Sequence, residues 1–90
     1  MDMVKRAEDV IFEITGGRAV LLDGAGAELI TLNPTGTLVW QAIDGRRDVT
    51  TLARDLHGAF DDVDLERLTG DIAGFVSELE SLGLVVDAAG

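Results

Sequence analysis

Side chains able to carry out chemistry are few in this chain, and their spacing does not assemble a catalytic site. His57 is the only histidine and cysteine is absent, so thiolate nucleophiles, disulfides and thiolate metal sites are excluded. A metal site needs several converging ligands, usually with His or Cys among them, and no hydroxyl residue is spaced to work with His57 as a nucleophile–base pair. His57 falls off the apolar stripe of its segment and is expected to face solvent. We therefore expect no catalytic residue, no metal and no cofactor.

Three other motifs have chemical interpretations that their context disfavours. The acids within residues 61–64 are similar to the start of a calcium loop, but the longer alternation with a central Gly and a distant Glu is missing. They precede a helix and suit its positive end. Ser81, in the sequence Glu-Ser-Leu, is similar to the attachment serine of acidic carrier proteins, yet it ends the last predicted helix instead of starting a middle one. No glycine-rich segment precedes a Lys-Ser or Lys-Thr pair, so a phosphate loop is excluded.

Composition indicates one soluble domain over residues 1–90, with residues 1–8 disordered. The chain has 90 residues, of which 47% are hydrophobic, enough for a small packed core. No apolar run approaches the roughly 20 residues of a membrane helix, and the N-terminus lacks the apolar centre of a signal peptide. A cytoplasmic location without membrane contact is expected. The net charge of -10 argues against nucleic acid and is compatible with a partner segment that carries positive charge.

The first third of the chain predicts three short strands, at residues 10–14, 18–23 and 27–32. Glycine turns separate the segments: Gly16-Gly17 supplies the positive φ angles of a tight turn, and Gly24-Ala25-Gly26 forms the next turn. Short apolar segments joined by glycine turns predict an antiparallel meander. Its sequence order leaves the third strand at an edge unless the first strand crosses over.

The third strand stops at the start of a helix predicted over residues 34–43. Asn33 is a good N-cap, and Pro34 suits the first helical position. Apolar residues then recur at helical spacing; they are Leu38, Val39, Ala42 and Ile43. Trp40 lies beside this stripe and is interpreted as a partly buried core anchor. The helix is expected to stop at Asp44-Gly45.

Two further helices follow. The second begins after Asp48, and its stripe runs at helical spacing from Val49 to Phe60. The third begins within residues 61–64 and ends at Gly83. Its apolar stripe consists of Leu65, Leu68, Ile72, Phe75, Val76, Leu79 and Leu82. Residues 84–86 then form a short strand or pack back on the core.

The third helix also has a face of small residues at positions i, i+4, i+7 and i+11, namely Gly70, Gly74, Ser77 and Ser81. Two glycines inside a helix cost about 1 kcal/mol each relative to alanine. The sequence leaves open whether this face contacts a partner protein or is only a smooth exposed surface.

Together the elements predict an α+β fold that is winged helix-turn-helix-like, with a three-stranded antiparallel sheet followed by three helices.

The junction between strand and helix also carries a family resemblance. Residues 32–40 read LNPTGTLVW and are followed by Ile43-Asp44-Gly45, then by VTTLA at 49–53. Further along the chain come Asp71-Ile72, Phe75-Val76, Leu79 and the sequence LGLV at 82–85. In this order the segments resemble PqqD-like proteins, the peptide-recognition elements of pathways that make ribosomal peptide natural products. The resemblance extends over about residues 10–86 and implies the same topology.

The resemblance implies that the leader segment of a precursor peptide adds as a strand to the edge of the third strand, with the third helix as the opposite wall of a groove. The implied peptide-binding residues are Ala27, Glu28, Leu29, Ile30, Thr31, Leu32, Leu68, Asp71, Ile72 and Phe75. The role is recognition without catalysis. The expected partners are the precursor leader and a processing enzyme. A leader peptidase of lasso-peptide pathways is favoured over a radical SAM enzyme of quinone-cofactor synthesis, on the overall look of the Asn-Pro-Thr-Gly and Asp-Gly-Arg-Arg segments.

Three alternatives belong to other functional classes: a winged-helix DNA binder, an acidic carrier protein and a structural subunit without a peptide ligand. An exposed edge strand can also pair with a second copy of itself, so a homodimer through edge strands is a further expectation.

Overall fold

A computed structural model of the chain describes residues 3–23, 29–60 and 62–87. Antiparallel strands precede three helices, so the predicted α+β class is confirmed. The strands are β1 (Val4–Arg6), β2 (Ile11–Thr15), β3 (Arg18–Leu22), β4 (Leu29–Thr31) and β5 (Val85–Asp87). The helices are α1 (Pro34–Ala42), α2 (Val49–Leu56) and α3 (Leu65–Ser81), and a 3-10 turn, His57–Ala59, follows α2 directly.

The main sheet is an antiparallel meander in the order β2-β3-β4. Gly16 and Gly17 join β2 to β3 with φ angles of 60° and 78°, as a two-residue hairpin turn of this kind requires. The order places β4 at an edge of this sheet, as the sequence predicted. The strand ends at Thr31, one residue before the predicted end, and its predicted residues 27 and 28 lie outside the described residues.

A second sheet, which the sequence analysis missed, pairs β1 with β5. The predicted disorder of residues 1–8 is therefore wrong for Val4–Arg6. Val4 is buried, its N–H donates to the Arg47 carbonyl at 3.1 Å, and its own carbonyl accepts the Gly45 N–H at 2.9 Å. The short strand expected near residues 84–86 is present as β5. The two ends of the chain thus form strands by pairing with each other.

The start of α1 is fixed to the sheet through side-chain hydrogen bonds. The Asn33 side chain accepts the Gly36 N–H at 2.7 Å, and Pro34 is the first helical residue, both as predicted. The Thr37 hydroxyl accepts the N–H of Ala19 in β3 at 2.8 Å and donates to the Asn33 carbonyl at 2.9 Å. Since Thr37 is buried, this hydroxyl satisfies a backbone donor that water cannot reach.

Trp40 forms the centre of the core. It is fully buried, more so than the sequence predicted, and the Phe12 ring meets it edge-on at 5.5 Å between centroids. The Arg6 guanidinium lies 5.0 Å from the Phe12 ring and 5.7 Å from the Trp40 ring. Leu38, expected in the buried stripe, is instead exposed. At 100° per residue it lies opposite the face of Gly36, Thr37 and Trp40, which are buried.

The segment between α2 and α3 differs from the continuous helical stripe that was predicted. The helix ends at Leu56, and Phe60 lies beyond the 3-10 turn. His57 is half-buried, not solvent-facing, and its Nε2 hydrogen-bonds to the Val63 carbonyl at 2.8 Å. Because a carbonyl only accepts, Nε2 carries the proton in this bond. The contact links the 3-10 turn to Val63, just ahead of α3.

Both ends of α3 match the sequence signals. The Asp64 side chain caps the helix by accepting the Arg67 N–H at 2.8 Å, and Gly83 follows the helix with φ 77°. Its residues Leu68, Ile72, Val76 and Leu79 are buried, and the helix packs against α2. Gly70 and Gly74 lie on its exposed side, where an added Cβ would meet no atom within 4 Å.

The Thr37 bridge predicts a specific loss of stability. Thr37→Val keeps the shape of the side chain but leaves the buried Ala19 N–H without its acceptor, so we expect the free energy of unfolding to fall by about 1–3 kcal/mol. Thr69→Val removes an exposed hydroxyl that bonds to the Leu65 carbonyl and serves as the control, with an expected change within about 0.5 kcal/mol. Urea denaturation of both variants measures this, and an equal loss would show that the bridge has no special role.

Glycine substitutions test the contact between α1 and α3. A Cβ on Gly36 would lie 3.2 Å from the Phe75 ring and 3.2 Å from the Asn33 side-chain oxygen. Gly70→Ala and Gly74→Ala should each raise the free energy of unfolding by up to about 1 kcal/mol. Gly36→Ala should give no such gain, because the Phe75 ring or the capping side chain of Asn33 must shift to make room for the methyl group. Thermal unfolding measures all three variants. Equal stabilisation at Gly36 would contradict the close approach.

Candidate functional site

A groove of about 570 Å³ lies between the edge strand β4 and helix α3. Its β4 side is formed by Ile30, Thr31 and Leu32. The lining continues into the start of α1 with Asn33, Thr35, Gly36 and Val39. Phe60 and Val63 contribute from the segment that the His57 contact holds. The groove is therefore built by two stretches that are distant in sequence, one within residues 30–39 and one within residues 60–82.

The β4 wall offers unpaired backbone groups. The Leu32 N–H donates to the Ala19 carbonyl at 2.8 Å, and residues of an antiparallel strand alternate between bonding to one neighbour and pointing away from it. Ile30, which pairs with Leu21, therefore directs its N–H and C=O towards β3. Leu29 and Thr31 direct theirs away from β3, where the described residues contain no further strand of this sheet. These outward groups are available to an added strand.

The opposite wall is a stripe along α3. Its lining residues are Leu68, Asp71, Ile72, Phe75, Glu78, Leu79 and Leu82. At 1.5 Å per residue the stripe from Leu68 to Leu82 extends about 21 Å, the length of about six residues of extended chain. The wall is mainly apolar, and it continues past the described end of β4.

The contact between Phe75 and Gly36 joins the helix wall to the start of α1. Because Gly36 has no side chain, the Phe75 ring approaches the first turn of α1 and forms part of the groove. The glycine of the Asn-Pro-Thr-Gly sequence thus has a packing role that the sequence alone did not reveal.

The charged residues of the groove are both acidic. Asp71 and Glu78 stand on α3 one heptad apart, and no Lys, Arg or His is among the described residues that line the groove. The nearest cation to Asp71 is Arg67, at 3.9 Å between Nε and Oδ2, and the two side chains are 76% and 65% exposed. Such an exposed pair contributes little, so it leaves the Asp71 carboxylate accessible.

The predicted site residues fall into three groups. Seven line the groove together: Ile30, Thr31, Leu32, Leu68, Asp71, Ile72 and Phe75. Leu29 belongs to the β4 edge, but its side chain is 68% exposed and lies outside the groove lining. Ala27 and Glu28 lie outside the described residues.

Several lining residues were missed. Glu78, Leu79 and Leu82 continue the helical spacing from Phe75 and could have been found by extending the stripe along the wall. The others reach the groove through tertiary packing, for which no local pattern exists; they are Asn33, Thr35, Gly36, Val39, Phe60 and Val63.

Lowered carboxyl pKa values occur away from the groove. The Arg46 N–H lowers the pKa of Asp44, and the Thr51 N–H, at 2.8 Å, lowers the pKa of Asp48. Both residues precede α2, and neither lines the groove. In the part of the chain that the structure describes, no cluster of three or more His, Asp or Glu side chains is placed to hold a metal ion. The groove is suited to binding an extended, largely apolar chain.

Within residues 3–23, 29–60 and 62–87, no helix has the length and apolar character needed to cross a membrane.

Two solved structures share this fold. One is described as TbiB1 in complex with the TbiA(beta) leader peptide; it has a TM-score of 0.81 and 17% identity, with 90% of this chain and 93% of that chain covered. The other is described as lasso peptide synthetase B1 complexed with the leader peptide; it has a TM-score of 0.80 and 25% identity, with 92% and 96% covered. No curated protein matches the chain.

The family comparison matches residues 18–85 to the model described as coenzyme PQQ synthesis protein D (PqqD). The matched segment runs from β3 to the start of β5, so it includes both walls of the groove. It amounts to about three quarters of the chain. This chain therefore belongs to the PqqD family.

Proposed function

We propose that this protein binds the leader segment of a ribosomally made precursor peptide and presents it to a processing enzyme, without catalysing a reaction itself. The leader adds as a strand along β4, and its side chains on one face enter the groove against α3. This is binding by strand addition, in which main-chain hydrogen bonds supply pairing and pockets read alternate side chains.

The observation that carries the proposal is the unpaired edge of β4 beside an apolar wall. Thr31, whose backbone groups point away from β3, lines the groove together with Ile72 and Phe75 of the helix wall. An edge strand alone would be a site of unspecific pairing, whereas an edge beside a groove selects the side chains of the added strand. Such a site makes micromolar to nanomolar affinity reasonable, about -8 to -12 kcal/mol.

The comparison with solved structures supports a lasso-peptide pathway. The solved structure at 25% identity is a lasso peptide synthetase B1 that holds a leader peptide, and it aligns over almost its whole length. By analogy we propose that the enzyme served by this chain is a leader peptidase, and that both act in the cytoplasm.

A second candidate rests on the family match itself. The family is described by a protein of coenzyme PQQ synthesis, which favours a peptide chaperone for a radical SAM enzyme. The two candidates use the same groove and differ in the enzyme that receives the peptide.

Proline at Thr31 tests strand addition at the outward-facing edge. Thr31→Pro removes one outward N–H, and proline is tolerated on edge strands, so the fold should persist while affinity for the precursor leader falls about tenfold or more. Thr31→Val keeps the N–H and is the matched control, with affinity close to that of the unchanged chain. Isothermal titration calorimetry with the leader of the precursor encoded in the same gene cluster measures both.

The position of the proline matters because the backbone N–H groups of neighbouring strand residues point in opposite directions. Ile30→Pro would break the pairing with Leu21 and destabilise the sheet, so it reports on folding and not on binding. If the Thr31→Pro variant is folded by circular dichroism and binds the leader with unchanged affinity, strand addition at β4 is wrong.

The choice of enzyme has its own test. Presenting the leader raises its effective concentration at the enzyme, so kcat/KM for precursor cleavage by the leader peptidase of the cluster should rise about tenfold or more when this chain is added. The Thr31→Pro variant should give no increase. Cleavage that is independent of the chain, together with a chain-dependent radical SAM reaction, would favour the second candidate.

A further inference from the structure

The charge distribution of the groove specifies the chemistry of its occupant further. Asp71 and Glu78 lie seven residues apart on α3, so both project from the same face of the helix towards the groove. The described lining contains no cationic side chain to neutralise them, and within the described residues Glu78 forms no ion pair. The rest of the lining is mainly apolar, so a bound peptide that covers it would exclude water and strengthen a charge pair formed there.

We propose that the groove selects leader segments that carry lysine or arginine among their apolar anchors, and that Asp71 and Glu78 hold these cationic side chains. The inference rests on the proposed strand addition, because a peptide fixed along β4 lies within reach of the α3 wall. A neutral apolar peptide would leave Glu78 without an ion-pair partner and Asp71 with only its exposed contact to Arg67, and an acidic peptide would be repelled by both carboxylates.

The spacing of the two carboxylates limits where the cations stand. Seven residues of helix separate Asp71 from Glu78 by about 10.5 Å along the axis, which corresponds to about three residues of extended chain. Side chains on one face of a strand recur every two residues. Long, flexible Lys or Arg side chains two or four residues apart therefore reach both carboxylates.

Arg67 does not block this assignment. Its 3.9 Å contact with Asp71 joins two largely exposed side chains, and such pairs are worth about 0–1 kcal/mol. A cation from a bound peptide, partly shielded from water by the groove, can replace Arg67 at little cost. The net charge of -10 adds a long-range attraction for basic peptides, so the test must separate local from overall charge.

The experiment is a selection from a random 12-residue peptide library displayed on phage, carried out at low salt on the whole chain. The targets are the unchanged chain, the groove variant Asp71→Asn/Glu78→Gln and the control Glu66→Gln/Glu80→Gln. The control changes the overall charge equally, but its exposed residues lie on the opposite face of α3 and outside the groove. Peptides that still bind the Thr31→Pro variant of the protein are removed, because they bind outside the groove. If the Thr31→Pro variant does not fold, the Leu29→Pro variant takes its place.

The unchanged chain and the control should select peptides enriched severalfold in Lys and Arg over Asp and Glu, and the groove variant should lose that enrichment. In a selected peptide, changing Lys to Gln should weaken binding about two- to fivefold, with the difference shrinking in 0.5 M NaCl. Two outcomes would overturn the inference but leave strand addition unaffected. In one, the peptides that fail to bind Thr31→Pro are not enriched in Lys and Arg; in the other, both double variants lose that enrichment equally. If no proline-sensitive peptide is selected, strand addition fails and the inference fails with it.

Discussion

The geometry of the groove depends on one buried hydroxyl group, that of Thr37. It accepts the N–H of Ala19 in β3 and donates to the carbonyl of Asn33, where β4 has ended and α1 begins. Strand pairing cannot continue past Leu32 because the chain turns at Asn33-Pro34. The Thr37 side chain replaces the missing strand partner, and the sheet and the first turn of α1 become one rigid unit. Phe75 then packs against Gly36, which sets the distance between α3 and the edge of β4.

The open edge that this unit presents is also a site at which a second copy of the chain could pair. Charge on an edge limits such pairing between copies. The net charge of -10 opposes the approach of a second copy. A peptide gains from the same edge because the α3 wall extends the contact beyond the strand. Pairing of two copies through β4 stays a prediction; it would use the same outward groups as the peptide.

Local signals in the sequence were sufficient for much of the fold. Asn33 and Pro34 marked the start of α1, the glycine pair marked the hairpin, and the apolar period of α3 located the helix wall. The pairing of β1 with β5 was missed because two three-residue strands at opposite ends of the chain have no measurable period. The exposure of Leu38 depends on the rotation of α1 against the sheet, which tertiary packing decides. Likewise the family resemblance indicated which strand edge and helix form the groove, but Gly36, Phe60 and Val63 join the lining only when the chain is folded.

Amide hydrogen exchange at β4, followed by NMR with and without the leader of the precursor from the same gene cluster, tests the central claim most directly. The outward N–H groups of Leu29 and Thr31 should exchange freely in the unbound chain and become protected when the leader is saturating. The Ile30 N–H, already bonded within the sheet, should be protected in both states. Leader binding that leaves exchange at Leu29 and Thr31 unchanged would contradict the account, because the peptide would then be held without pairing to this edge.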